Sequence, residues 1–519
     1  MIKQVDLVLS PADAARTNSH LGFITKKLKI NKTQVSFFRL EKKSVDARQR
    51  DIKIQLRFIV VVDEPGYSPA KIIFNQQNVS NAKEVAVVGA GPAGLFAALQ
   101  LIELGFKPVI FERGKDIHER KRDIATIHKS QIINPESNYC YGEGGAGTFS
   151  DGKLYTRSSK RGNVNRILEL FYLHGADENV LYEAHPHIGS DKLPKVIENI
   201  RFRIIEAGGV FYFNTHVKEI IIRDKQVNGI LLGNGSVYTV NNIILATGHS
   251  ARDVYRMLFA NNILIESKGF AMGVRIEHPQ NIIDNIQYHG FPRGDELPAA
   301  SYSIVQQVNG RGVYSFCMCP GGFIVPAATT NGETVVNGMS ASKRNSPFAN
   351  AGFVTEIRDE DLTDFKKFGV LAGLEFQSYL EQLAFHNGGG GLIAPAQRII
   401  DFLLKRTSTT LPETSYISGI VSSDIHKWMP KFISENIGNA LQMYSQRTKG
   451  FLSENAIMVG VESRTSSPIR IPRNPDTLEH VEIKGLYPCG EGAGYAGGIV
   501  SSAMDGMNVA IKIAVGITN

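Results

Sequence analysis

Tryptophan and cysteine are nearly missing from this chain: one Trp and four Cys among 519 residues. Cys140, Cys317, Cys319 and Cys489 form no C-x-x-C pair. That excludes the usual zinc spacings, and four thiols are too few for a disulfide framework at this length. A reducing cytoplasm is the expected compartment. No run of 18 apolar residues occurs, so no membrane span is expected. The opening MIKQVDLVLSPADAARTN lacks the apolar stretch and cleavage site of a secretory leader. Neither charge dominates: 57 Lys and Arg against 50 Asp and Glu leave +7. That modest excess suits an anionic cofactor or substrate, a nucleic acid or an acidic surface, and requires none of them.

Glycine, by contrast, is abundant at 50 residues, and much of it is clustered. The first cluster organises the chain. Val85 to Val88 reads as a buried parallel strand, and Gly89-Ala90-Gly91-Pro92-Ala93-Gly94 follows as G-x-G-x-x-G. Ala93 to Leu104 reads as a helix, with Leu95, Ala98, Leu101 and Ile102 at helical spacing. Pro108 to Phe111 is a second strand, ending at Glu112 and Arg113. Gly89 permits the tight turn, Gly91 admits a pyrophosphate, and Gly94 lets helix and strand approach. The helix start offers free N–H groups to phosphates. Glu112 can accept from a ribose diol. Strand, glycines, helix, strand and acid in that order predict a dinucleotide site.

The order of elements predicts an α/β chain, α+β overall. Residues 1–80 form a small β-α-β-β domain whose basic cluster holds Lys42, Lys43, Arg48 and Arg50. It is either a docking surface or a solvated hairpin with salt bridges to the next domain. Residues 81–269 are the first segment of a Rossmann-like domain. They include a glycine loop, Asn138 to Lys153, with Gly142, Gly144, Gly145 and Gly147, which could approach a flat ring closely. A β-meander follows from Val217, with an N-G hairpin turn, and then the strand and turn ILATG ending at Thr247-Gly248. Residues 270–450 carry no nucleotide signature and are expected to be an inserted α+β substrate domain. There Cys317-Met318-Cys319 reads as a redox or metal pair or, since alternation puts both thiols on one face of a strand, as buried hydrophobes. His278, His289, His386 and His426 read as structural, and Gly388 to Gly391 as a hinge, lid or plain loop.

Residues 451–519 are expected to return to the nucleotide domain. Gly490-Glu491-Gly492 is a second acid-bearing glycine turn, and Gly497-Gly498 precede a helix from Ile499. Glu491 could meet a ribityl chain or pyrophosphate. The helix start at Ile499 would face the N1/O2 edge of a flavin. The buried stripe of that helix is read as Ala503, Met507, Ile511 and Ala514.

Three strings now stand together: GAGPAG with ERG, ILATGHSARD, and GLYPCGEGAGYAGG. They resemble the FAD-dependent oxidoreductases of the glutathione-reductase-like FAD/NAD(P)-binding superfamily. SVDAR, YGEGGAGTFSDGKLYT, KGFAMGVRIEHP, SFCMCPGG, APAQR and VESRTSSPIRI resemble, more closely, a bacterial family of FAD-dependent dehydrogenases of unassigned substrate. The resemblance implies non-covalent FAD, with roles for Gly89, Gly91, Gly94, Glu112, Gly248, Gly490 and Glu491, and a main-chain adenine contact at Val217. Two features of the superfamily are missing. No redox C-x-x-x-x-C follows the first glycine motif, and no separate nucleotide unit for NAD(P)H is found, since the other G-x-G-x-x-G strings, Gly142 to Gly147 and Gly492 to Gly497, lie in the glycine loops read as facing the flavin. NAD(P)H is therefore expected only as a transient donor.

The expected function is hydride transfer between flavin N5 and a small molecule, of anionic character if Arg464 clamps a carboxylate. A structural salt bridge is the competing reading for Arg464. Lys153 could be a proton donor or flavin partner, and an exposed lysine is the plainer reading. Two other functions fit the same strings. One is a flavin-dependent RNA-modifying enzyme, for which the chain shows no cluster of stacking aromatics. The other is a non-catalytic flavin-holding protein that docks through residues 1–80.

Overall fold

The computed structural model describes residues 1–156 and 159–518. At its centre is a five-stranded parallel sheet. Its spatial order is Leu486–Pro488, Ile243–Leu245, Glu84–Val88, Lys107–Phe111 and Val210–Tyr212. Such sheets are covered on both faces, so their strands are continuous apolar runs. Val85, Ala86 and Val87 are accordingly all fully buried. The edge strand Leu486–Pro488 comes from the far end of the sequence. Its partner is the ILATG strand, so the sheet itself ties the two ends of the chain together.

Sequence spacing predicts an amphipathic stripe on the helix after the glycine motif. The helix, Pro92–Glu103, is instead buried on nearly every face. The cause is the C-terminal helix Ile499–Thr518, which covers what would have been its solvent side. In that helix Ala503, Met507 and Ala514 are buried as expected, together with Val500, Met504, Val509, Ala510 and Ile513, whereas Ile511 is 41% exposed. Ile499–Ile517 is long and apolar enough by composition to cross a bilayer, yet 67% of it is buried against the rest of the protein.

A second, seven-stranded sheet carries the inserted region. Its strands run Val305–Val308, Arg311–Cys319, Phe348–Ile357, Phe270–Pro279, Ile457–Glu462, Ala394–Arg398 and Ile420–Ser422. The strand Ile457–Glu462 lies inside this sheet, between Phe270–Pro279 and Ala394–Arg398. The boundary expected near residue 451 is thus displaced to beyond Glu462, because the pairing partner of Ile457–Glu462 is Phe270–Pro279. Helices Ala372–Asn387 and Lys431–Arg447 belong to the same region. The meander Val217–Arg223, Gln226–Leu232 and Val237–Tyr238 forms its own small sheet.

Residues 1–62 form a three-stranded antiparallel sheet, Ile2–Leu9, Lys53–Val62 and Val35–Asp46 in spatial order. The expected single helix is two, Pro11–Ala15 and His20–Leu28, separated by a 3-10 turn. Two members of the basic cluster form ion pairs. Lys43 meets Glu183 of the nucleotide domain at 2.9 Å, beside a main-chain bond from Lys43 to Tyr182, and Arg48 meets Asp46 at 2.6 Å.

Candidate functional site

One cavity runs from the first glycine motif to the C-terminal helix and on beneath the seven-stranded sheet. At its first end, Gly89, Gly91, Pro92 and Ala93 form the wall. Gly89 has φ +104°, and a Cβ there would lie 2.5 Å from the Ala246 carbonyl oxygen, so only glycine makes this turn. Gly91 caps the helix without any side-chain hydrogen bond, which leaves first-turn N–H groups free for a ligand. Thr247, Gly248 and Val217 line the same end. A Cβ on Gly248 would meet nothing within 4 Å, and the same holds for Gly497 and Gly498. At these cavity-lining positions there is open space beside the backbone.

Glu112 lines the cavity, but its carboxylate already has main-chain partners. It accepts from Ala90 N–H at 2.9 Å, Gly114 N–H at 2.8 Å and Gly142 N–H at 3.0 Å. It thereby ties the first glycine turn to the second glycine loop. A carboxylate has about four acceptor positions, so roughly one is left for a ribose hydroxyl. Arg113 lies over the Tyr141 ring at 4.7 Å and pairs with Asp253 and His216. Burial works against the Asp253 charge, but His216 and Arg113 hold its carboxyl below the ordinary range.

Further along, Gly145, Gly147, Glu491, Gly498 and Ile499 all face the cavity. Glu491 lies 3.4 Å from His249. Two expected cofactor residues do not line it. A Cβ on Gly94 would fall 2.0 Å from the Gly89 carbonyl oxygen, and one on Gly490 would fall 2.8 Å from the Ala93 Cβ. Both are close-packing glycines, since helix and turns meet through them.

The expectation for Arg464 as a free clamp is corrected. Its side chain reaches the cavity wall but is spent. Nε and Nη2 donate to Glu381 at 3.1 and 2.9 Å, Nη2 also to Glu333 at 3.3 Å, and Nη1 to Thr329 at 3.0 Å. Arg252 pairs with the same two acids, at 2.9 Å to Glu333 and 2.7 Å to Glu381. Two cations and two anions make a neutral buried quartet that joins the nucleotide domain to the inserted one. Burial opposes the Glu381 charge, yet the two guanidiniums hold it below the carboxylate range, whereas burial and the adjoining Glu381 push Glu333 up.

Lys153 is not the exposed lysine of the plainer reading. It is half-buried on the cavity wall, and its ammonium donates to the Met318 carbonyl. The Cys317–Cys319 expectation also changes. The strand Arg311–Cys319 slips register between Phe316 and Cys319, and Cys317 has φ +43°. A bulge breaks the two-residue alternation. Cys317 and Cys319 both border the cavity, but Cys319 is buried, whereas Cys317 is accessible from the cavity space. Its thiol is pushed up to about 12 by the surrounding protein.

His278, His289, His386 and His426 lie away from the cavity. So does the Gly388 to Gly391 run, which is a turn after Ala372–Asn387 pinned by Gln131 to Leu392 N–H at 3.2 Å. Sequence reasoning missed Asn337, Arg275 and Gly506. Asn337 lines the cavity, and the fully buried Arg275 donates to its side-chain oxygen at 3.1 Å. The available signal was an arginine inside the apolar strand FAMGVRIEH, which must have buried partners.

Comparison with known proteins gives the chemistry a name. Residues 83–257 match the family model "Pyridine nucleotide-disulphide oxidoreductase", residues 269–465 match "FAD-dependent protein, C-terminal domain-like", and residues 1–61 match a domain of unknown function. An uncharacterised protein from Clostridium beijerinckii is 40% identical over 509 residues, covering 94% of each chain. Among solved structures, CtdE in complex with FAD and a substrate aligns with TM-score 0.35, 10% identity, and 83% and 80% coverage of this chain and that one. Glycine oxidase from Bacillus cereus aligns with TM-score 0.33, 13% identity, and 85% and 96% coverage. FAD is the cofactor, and the chain is a flavoprotein of the oxidoreductase class.

Proposed function

Because this chain belongs to the same family as the Clostridium beijerinckii protein, we propose one function for both. It is an FAD-dependent dehydrogenase that passes hydride between the flavin and a small molecule held beneath the seven-stranded sheet. The single observation that carries this is the continuity of the cavity. Gly91 and Gly498, about 400 residues apart in the chain, face one space, and that space ends under the strand Arg311–Cys319.

The residues fit the group through the turn at Gly89, the space beside Gly91, Gly248 and Gly498, and the unbonded N–H groups at the start of Pro92–Glu103. Gly89, Gly91 and the start of Pro92–Glu103 would hold the pyrophosphate, Glu112 the ribose, and the main chain near Val217 the adenine. Gly145, Gly147, Gly498 and Ile499 would border the ring. When bound, FAD supplies the two-electron acceptor. The chain's own task is to place a partial positive charge from the helix start at Ile499 against the ring, to exclude water with the inserted sheet, and to orient the reacting carbon. NAD(P)H would act as a passing donor.

The test is direct. The purified protein should show a flavin visible spectrum, release FAD on denaturation, and bleach anaerobically with NADH, NADPH or a metabolite pool. A colourless protein that takes up no FAD would overturn the reading. A flavin that no donor reduces would overturn the dehydrogenase assignment.

A further inference from the structure

We propose that Lys153 and the side-chain amide of Asn337 form an anion subsite at the sheet end of the cavity, so that the substrate carries a carboxylate. The inference rests on the flavoprotein reading above and specifies its substrate class.

Most charges at that end are already paired. Asp151 is held by Arg344 at 3.0 and 2.5 Å. Arg275 is matched by Glu462 at 2.8 Å. Arg464 belongs to the neutral quartet with Glu333, Glu381 and Arg252. Among the described residues, Lys153 makes no ion pair; Asp151 is near enough to feel its charge, but Asp151 is held by Arg344, so the three groups together keep one net positive charge. The Lys153 ammonium donates to a neutral carbonyl, that of Met318. An ammonium has three donors, so two remain for a ligand. Water can solvate this cation while the cavity is open. A ligand that excludes the water must supply a counter-charge, because an uncompensated charge in a dry site is costly.

The second donor is set by its neighbours. The Asn337 side-chain oxygen accepts from Arg275 at 3.1 Å and from the Gly338 N–H at 2.7 Å. Both partners can only donate, which assigns the oxygen and leaves the NH₂ group for the cavity that Asn337 lines. Arg275 is itself fixed, through Glu462 and through Asn350 at 2.7 Å. It also donates to the Cys317 carbonyl at 3.3 Å, one residue before the carbonyl that anchors Lys153. Lys153 is thus anchored directly to the bulged strand end, and Asn337 is tied to it through Arg275. Gly338 leaves the Arg275 contact unobstructed: a Cβ there would fall 2.3 Å from the guanidinium. Arg275 is a positioning residue, and Lys153 with Asn337 supplies the recognition.

The full-length, FAD-loaded protein is titrated with benzoate and, separately, with benzamide, reading the perturbation of the flavin visible spectrum per bound FAD. The same pair is repeated with acetate and acetamide to vary size. The expected result is a saturable shift with the carboxylates and binding at least about tenfold weaker with the amides. Lys153→Met should lose that preference, Lys153→Arg should keep part of it, and Asn337→Leu should weaken carboxylate binding. Equal response to acid and amide, no saturable response to either acid, or wild-type benzoate affinity in Lys153→Met would overturn the subsite. If Lys153→Met takes up no FAD, the wild-type acid–amide contrast and Lys153→Gln decide. FAD content is measured first. A protein without FAD sinks the flavoprotein reading, whereas one that holds FAD with no carboxylate preference sinks only the subsite.

Discussion

Gly506 lies so close to Ala93 that a Cβ on it would fall 2.0 Å from the Ala93 carbonyl oxygen. The contact joins the last helix of the chain to the helix that begins within the first glycine motif. Gly506→Ala should therefore push the two helices apart, costing about 1–3 kcal/mol, and lower FAD content together. Urea unfolding and the FAD-to-protein ratio check this; a variant with unchanged stability would show that the helices can slide freely.

Gly91 and Gly94 should part company. A Cβ at Gly91 meets nothing nearer than the Gly145 Cα, at 3.8 Å, whereas one at Gly94 lands on the Gly89 carbonyl. Gly91→Ala is expected to fold with near-native circular dichroism yet lose FAD. Gly94→Ala should lose the fold with it. Far-UV spectra and flavin content of both variants are the measurement.

Arg464→Met should destabilise by about 3–5 kcal/mol, since it leaves Glu381 and Glu333 short of a counter-charge in the interior. Adding Glu381→Gln should recover part of that loss. A double-mutant cycle from denaturant curves shows it. Additive losses would mean that the quartet is not a coupled unit.

Burial pushes His278 down to about 4 from an ordinary 6.5, and its Nε2 is satisfied by the Phe451 carbonyl at 2.8 Å. The unfolded chain binds a proton at higher pH than the folded one. The stabilising contribution is thus complete above pH 6.5 and is lost as pH falls towards 4, by up to about 3 kcal/mol. His174, His187 and His480 are pushed down by burial with the same sign. His278→Gln should flatten part of the acid limb in urea midpoints taken at pH 7, 5.5 and 4.5. An unchanged limb would place the acid sensitivity elsewhere.

Cys317 is accessible from the cavity but holds its proton up to about 12. Only the thiolate alkylates, so at pH 8 iodoacetamide should label it more slowly than an ordinary thiol. FAD should slow it further. Peptide mass spectrometry of timed samples reads the rate, and fast labelling would contradict the assigned environment.

The chain's own sequence determined the local pieces. The turn at Gly89, the strand at Val85 to Val88, the meander and the glycine-tipped last helix follow from residues a few positions apart, where apolar period and allowed φ decide the outcome. The charges escaped it. Arg464 and Lys153 look alike as cations beside glycine turns, but their partners lie 83 residues away at Glu381 and 165 away at Met318. The bulge that turns Cys317 towards the cavity depends on its pairing strand Phe348–Ile357. Ile457–Glu462 likewise joins the inserted sheet because of a partner almost 190 residues earlier. Spacing along a chain reports periodicity, whereas which cation is neutralised and which stays free depends on what folding packs beside it.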